Sequence, residues 1–223
     1  MNNTPLKIYF AGDLFDAKDL GGNLLLSRAI GQVSGGRYAA MLPQDGECEI
    51  MERTSKSIRD ADFELLLQCD IILANFDGHD LDSGTVVEFC FAKMADIPAV
   101  LLRTDFRNSG DHTLPDGEPW NLMCSHYPRT NVLHINSMEH YHRIRTKGGS
   151  SADFPVEEFY CSIAESIVQQ LDDVAAQPAW LEKADVFAQY KRVLKSAGGS
   201  LSERFPDARL QEIVSAKIAK GIY

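Results

Sequence analysis

The stretch DIILANF, residues 70–76, constrains this chain more than any other. It is a continuous apolar run without polar alternation, so a strand made from it must be buried on both faces. A sheet with one wet face has no place for such a strand, whereas the middle of a parallel sheet covered by helices does. Its surroundings fit that setting. Residues 7–12 (KIYFAG) read as a first strand running into a loop at glycine, and 24–33 carry apolar residues at helical spacing, closed by Gly35-Gly36. Residues 38–42 (YAAML) predict a second strand stopped by Pro43, and 57–68 a helix with Phe63, Leu66 and Leu67 on one side. A polar loop at 77–83 precedes a predicted helix at 85–95, and 98–102 (PAVLL) and 132–135 add further strands.

Strands alternating with helices predict a doubly wound parallel α/β sheet with helices on both faces, where ligands sit beyond the carboxyl ends of the strands. The loops after Gly12, Leu42 and Phe76 should then face one pocket. From Pro155 onward only helices are predicted, at 158–171, 180–194 and 208–220, broken by Gln177-Pro178 and Gly198-Gly199. The expected organisation is an α/β domain over residues 1–154 and a C-terminal helical extension, 155–223, packed on the same domain.

Charge and cysteine usage narrow the partners. With 22 basic against 32 acidic residues the net charge is −10, which lacks the basic footprint of a nucleic-acid binder. No segment approaches ~18 uninterrupted apolar residues, and the first residues have no basic and apolar leader, so neither a membrane span nor a secretory signal is expected. Cys48, Cys69, Cys90, Cys124 and Cys161 are odd in number, widely spaced and free of CxxC pairs. Reduced thiols in a cytoplasmic protein fit that pattern better than zinc or disulfides. His140 and His142 flank Tyr141, but no further ligand stands at zinc-motif spacing, so the reading is a solvated loop and no metal.

The loop Asp77–Ser83 is dense in carboxylates and small residues, and Glu88 follows near the start of a helix. A carboxylate there is favoured in its ionised form by the helix N-terminus and suits attack on an electrophilic sugar carbon. It equally suits a solvated first-turn residue that complements the dipole. Asp62, in RDADFELL, reads as a surface helix residue or as a proton donor, since glycosidic cleavage divides nucleophile and acid between two carboxyl groups. Residue chemistry alone stops at an α/β enzyme or binding protein with an acidic pocket.

KIYFAGDLF, LPQDG, CDIILANFDGHDLDSGTVVEFCFA and PWNLM, in that order over residues 7–123, resemble the signature blocks of the nucleoside 2-deoxyribosyltransferase family, with D-S-G-T-x-x-E the most specific. The resemblance implies a flavodoxin-like α/β fold and assigns roles by position. Glu88 matches the nucleophile, Asp62 the acid that exchanges a proton with the base, and Tyr9 a tyrosine whose hydroxyl holds the nucleophile's carboxylate. Asp82 matches a carboxylate that binds a deoxyribose hydroxyl, next to Gly84 of the same block; Phe15 matches an aromatic packing on the base, and Gln44 a base-contacting glutamine. Asn121 and Met123 match a segment that reaches into a neighbouring subunit's site, Asn121 toward the sugar 5′-hydroxyl, which implies a homo-oligomer with shared active sites. The family commonly closes the site with a C-terminal tyrosine, a place for which Tyr223 and Tyr160 compete.

What the resemblance implies for chemistry is a double displacement with retention, from 2′-deoxynucleosides to free nucleobases, needing no metal or organic cofactor. A 2′-hydroxyl would withdraw electrons from the cationic transition state and crowd the pocket, so ribonucleosides should react poorly. Two other readings stay open. A related N-glycosidase of deoxynucleoside 5′-monophosphates shares fold and glutamate, but its first loop is rich in Gly, Arg and Ser, where this chain has Asp13-Leu14-Phe15-Asp16. A non-catalytic nucleoside- or nucleotide-binding module predicts tight binding without exchange, and the presence of both Asp62 and Glu88 counts against it.

Overall fold

A computed structural model describes residues 4–46, 50, 52–107, 114–146 and 154–223. Five strands, β1 (Leu6–Ala11), β2 (Tyr38–Met41), β3 (Ile71–Asn75), β4 (Ala99–Arg103) and β5 (Thr130–His134), form one sheet in the order β2-β1-β3-β4-β5. Every neighbouring pair is parallel. This is the doubly wound, flavodoxin-like order, with its switch point between β1 and β3.

The pleat divides each strand between two cores. Ile8 and Phe10 of β1, Ile71 and Leu73 of β3, and Val100 and Leu102 of β4 face one cluster. That cluster is completed by α1 (Ala17–Val33) and α6 (Val156–Ala175), with α5 (Ser137–Arg145) packed on α6. Tyr9, Ala11, Ile72, Ala74 and Leu101 face the other. There they meet α3 (Ser55–Gln68), α4 (Ser83–Met94), α7 (Val186–Ala197), α8 (Leu201–Arg204) and α9 (Asp207–Ala219). A short helix, α2 (Pro43–Gly46), follows β2, and a single 3₁₀ turn, Leu122–Cys124, precedes β5.

The helices beyond residue 155 therefore part company. α6 builds the same layer as α1 and is tied to β2 by Tyr38 Oη, which donates to Asp172 Oδ1 at 2.8 Å. The remaining helices cover the opposite face of the sheet. Three of the departures from the sequence expectation have clear local reasons. Helix α1 begins at Ala17 rather than 24, because Asp16 caps it by accepting from the Lys18 and Asp19 amides, and Gly21-Gly22 lie inside the helix. Residues 137–145, expected as a loop, are helical: Asn136 caps the Glu139 amide, Ile144 is buried, and His140 Nδ1 lies 3.1 Å from Ser162 Oγ of α6. Helix α7 starts at Val186 rather than 180, because the Trp180 and Leu181 amides bind the Asp96 carboxylate at 3.0 and 3.1 Å.

The chain's end is locked to the amino ends of β3 and β4. Lys220 pairs with Asp70 at 2.6 Å, and Arg129 donates to Ile222 O at 2.7 Å while pairing with Asp96. Tyr223 Oη donates to Ala95 O at 2.6 Å and lies 2.9 Å from Tyr190 Oη. Its ring is buried. Tyr223 thus departs from the role the family resemblance suggested. It sits at the C-cap of α4, seven residues or ~10 Å of helix beyond Glu88, and is only 6% exposed. Tyr223→Phe should cost about 1–2 kcal/mol, because it strips a buried carbonyl of its donor. Urea unfolding will show that loss, and turnover should be unchanged.

Candidate active site

Tyr9 lies in the middle of β1, fully buried, with its side chain toward α3 and α4. Its hydroxyl donates to Glu88 Oε1 at 2.5 Å, joining residues 79 apart in sequence. Burial, followed by the negative charge of Glu88, pushes the Tyr9 phenol well above its ordinary range, so it stays a donor. Helix α4 is started by Asp82, whose Oδ2 accepts from the Thr85 amide at 2.7 Å and the Thr85 hydroxyl at 2.9 Å. Gly84 is there for space: a Cβ at this position would stand 3.0 Å from the same Asp82 oxygen.

Glu88 occupies the second turn of α4, since the helix begins at Ser83. The free amides of the N-terminus are spent by then, and the dipole's influence has faded. Its carboxyl is not held ionised, as the sequence suggested, but pushed up to about 8. Burial is the main cause; the charges of Asp62 and Asp82 add to it, and the Tyr9 hydrogen bond opposes it. Asp62, on α3, is therefore within electrostatic reach of both Glu88 and Tyr9. Three carboxyl groups and a phenol from β1, α3 and α4 share one neighbourhood. Neighbouring carboxyl groups in different environments can divide the roles of proton carrier and anion.

The adjoining loops add more negative charge. Asp13, after β1, is shifted upward by burial first and then by Asp82, Asp19, Asp77 and Asp16. The amides at the start of α1, a natural phosphate seat, are already bound by the Asp16 carboxylate. A dianionic phosphate would meet repulsion here.

Sequence reasoning missed what holds these loops. Arg103, at the carboxyl end of β4 and almost wholly buried, donates to Phe76 O at 2.5 Å, Gly78 O at 3.1 Å and Arg107 O at 3.0 Å. In return, Asp77 accepts from the Thr104 amide and hydroxyl, both at 2.6 Å, and from the Asp105 amide at 2.8 Å. The loops after β3 and β4 are clamped reciprocally, which fixes the run leading to Asp82. The available signal was a lone arginine closing an apolar strand.

The other expected residues are placed less tightly. Phe15 is 80% exposed on the loop after β1. Gln44 lies on α2, and its Nε2 donates to Leu20 O at 3.3 Å. Asn121 caps the 3₁₀ turn by accepting from the Met123 amide at 3.0 Å, leaving Met123 71% exposed. Tyr160 is on α6, on the other side of the sheet from Glu88, where it lines a cavity of about 310 Å³ with Asp13, Asn75 and Asp77. Neither tyrosine proposed to close the site meets Glu88 within the chain. Among the described residues no group of three or more His, Cys, Asp or Glu is arranged to hold a metal ion, and no helix is long and apolar enough to cross a membrane.

Several known proteins are similar to this chain. A conserved protein from Enterococcus faecalis V583 is 29% identical, with 65% of this chain and 99% of that one covered at a TM-score of 0.49. A 2-desoxiribosyltransferase from Leishmania mexicana is 19% identical, covering 66% and 100% at 0.45. A 2-deoxyribosyltransferase from the psychrotolerant bacterium Bacillus psychrosaccharolyticus is 16% identical, covering 67% and 96% at 0.45. No curated protein matches the chain. The family model for nucleoside 2-deoxyribosyltransferase matches residues 8–123, just over half of the 223, and takes in Tyr9, Asp62, Asp82 and Glu88. The chain belongs to the nucleoside 2-deoxyribosyltransferase family.

Proposed function

We propose that the protein moves a 2-deoxyribosyl group from one nucleobase to another through an ester to Glu88. The observation that carries this reading is the Tyr9–Glu88 hydrogen bond, with Asp62 and Asp82 in electrostatic reach of the same carboxyl. In the first step, taken by the state in which Glu88 is ionised and Asp62 carries the proton, a Glu88 oxygen bonds to C1′ as the C1′–N bond breaks. The bonding pair leaves on the base nitrogen, and Asp62 supplies its proton. In the second, a nitrogen of the incoming base bonds to C1′, its proton passes to Asp62, and Glu88 departs as carboxylate. Tyr9 shares the charge that reappears on Glu88, and Asp82 receives a sugar hydroxyl. Phe15 and Gln44 flank the base. These steps call for no metal or organic cofactor.

The carboxylates around the β1 loop favour an uncharged nucleoside over a nucleotide, which weighs against the 5′-monophosphate hydrolase. Salvage of nucleosides in the cytoplasm suits such an activity. Exposed Leu122 and Met123, beside Asn121, offer a neighbouring copy its contribution to the site. The active species should then sediment as a dimer or larger, and a fully active monomer would exclude a shared site.

The deciding experiment incubates 2′-deoxyinosine with and without free adenine. Loss of deoxyinosine should be slow alone and rise strongly with adenine, with deoxyadenosine formed in matching amount. An oriented acceptor can outcompete water because effective molarities reach ~10⁵–10⁸ M. Unchanged consumption with free 2-deoxyribose accumulating would make the protein a hydrolase instead.

A further inference from the structure

Helices α7, α8 and α9 lie outside the family-matched segment, yet they grip the helix that carries Asp62. Asp60, wholly buried, accepts from the Ser200 amide at 2.6 Å and the Ser200 hydroxyl at 2.7 Å, both on Oδ2, and pairs through Oδ1 with Arg59 at 2.7 Å. Arg59 in turn donates to Ala197 O at 2.5 Å. One turn along α3, Glu64 takes Arg204 on one oxygen and Arg209 on the other, each at 2.7 Å. Arg204 Nε also reaches Ser200 Oγ at 3.2 Å, so the two anchor points are joined. The approach is as close as a backbone allows: Gly199 has φ +66°, and a Cβ on it would stand 2.3 Å from Asp60 Oδ1.

Asp62 stands midway between these anchors in sequence and elsewhere in rotation. Asp60 and Glu64, four apart, share one flank of α3, and Asp62 is turned by ~200° from Asp60. Between the flanks lie Phe63, Leu66 and Leu67, which face the core, with Phe63 stacked on Phe91 of α4 at 4.2 Å. Apolar packing of that sort tolerates a small roll of the helix; paired charges with hydrogen-bond directionality do not. A roll of α3 would carry Asp62 toward or away from Glu88. We infer that the Gly199–Arg204 turn is a positioning element that sets the rotation of α3 and with it the reach of Asp62 to the base and to Glu88. This rests on the proton-transfer role proposed for Asp62. Transfer requires approach to ~2.6–3.2 Å, which a roll of α3 would disturb.

The test uses the full-length chain carrying Ser200→Ala and Arg204→Met together, with Arg204→Lys as the conservative variant. Far-ultraviolet dichroism reports the fold, exchange kinetics separate kcat from KM, and carboxyl-carbon NMR follows the titration of Glu88. The titratable groups facing Glu88 are Tyr9 of β1, Asp62 of α3 and Asp82 at the start of α4. In the folded double variant the Glu88 midpoint should fall toward the ordinary carboxylate range as Asp62 retreats. kcat should drop ~10–100-fold with KM little changed, the loss expected of a misplaced reacting group. Arg204→Lys should recover much of both. A folded double variant with the wild-type Glu88 titration and kcat would overturn the inference; if the double variant does not fold, Ser200→Ala alone decides by the same two readouts. Should the wild type show no exchange while the variant still shifts Glu88, the positioning stands and the transferase reading falls.

Discussion

Glu88→Gln should abolish exchange, by ~10⁴-fold or more as for loss of a covalent nucleophile, and should make the protein more stable at alkaline pH. The second effect follows from burial. The folded protein holds the Glu88 proton up to about 8, while an ordinary glutamate releases it near 4.5. Between those values the native state binds a proton that the unfolded chain has lost, so the wild type loses stability as pH rises through the window and levels off above it. Glutamine has no proton to lose and keeps the Tyr9 contact. Its advantage should be absent near pH 4 and reach about 1–3 kcal/mol above pH 8, allowing for solvent near the carboxyl. Urea midpoints at the two pH values measure it. For the wild type, kcat/KM should rise with pH toward about 8 as the nucleophile ionises. Residual transfer in the variant, or a stability gap indifferent to pH, would remove Glu88 from this role.

Asp62→Asn should cost ~10²–10⁴ in exchange in both directions, the usual worth of a placed acid–base group. Asparagine can neither give the departing base a proton nor take one from the incoming base. The loss should be largest for bases that leave poorly as anions and smallest for those that leave well, so a series of nucleosides reports the missing proton directly. The substitution also removes a negative neighbour that raises Glu88, so the rising limb of the pH profile should move to lower pH. An equal loss for every base, with the pH limb unmoved, would indicate that Asp62 only shapes the pocket.

Much of this architecture was legible in one dimension because the relevant signals are local. The apolar run at 70–76 became β3 in the centre of the sheet, Gly198-Gly199 ended α7, and Pro43 ended β2, each through effects that act over a few residues. The D-S-G-T-x-x-E block likewise spelled out its own geometry: Asp82 caps the helix, Gly84 makes room for it, and Glu88 follows on α4. Local signals also misled where an outside partner intervened, as at residues 180–181, whose amides go to Asp96 instead of opening a helix.

What tertiary structure alone decided is the state and reach of the groups. Glu88 looked like an anion at a helix start, but the sheet buries it against Tyr9 and brings Asp62 beside it, which reverses its preferred charge. Tyr223 looked free to close the site, but Tyr190 and the α4 C-cap hold it at the sheet's far end, with Arg129 bound to the carbonyl of Ile222 before it. Arg103 carried no motif, and its work of clamping two loops exists only once β3 and β4 lie side by side. Element type follows from neighbours in sequence, whereas ionisation and positioning follow from burial and charges that only the folded chain brings together.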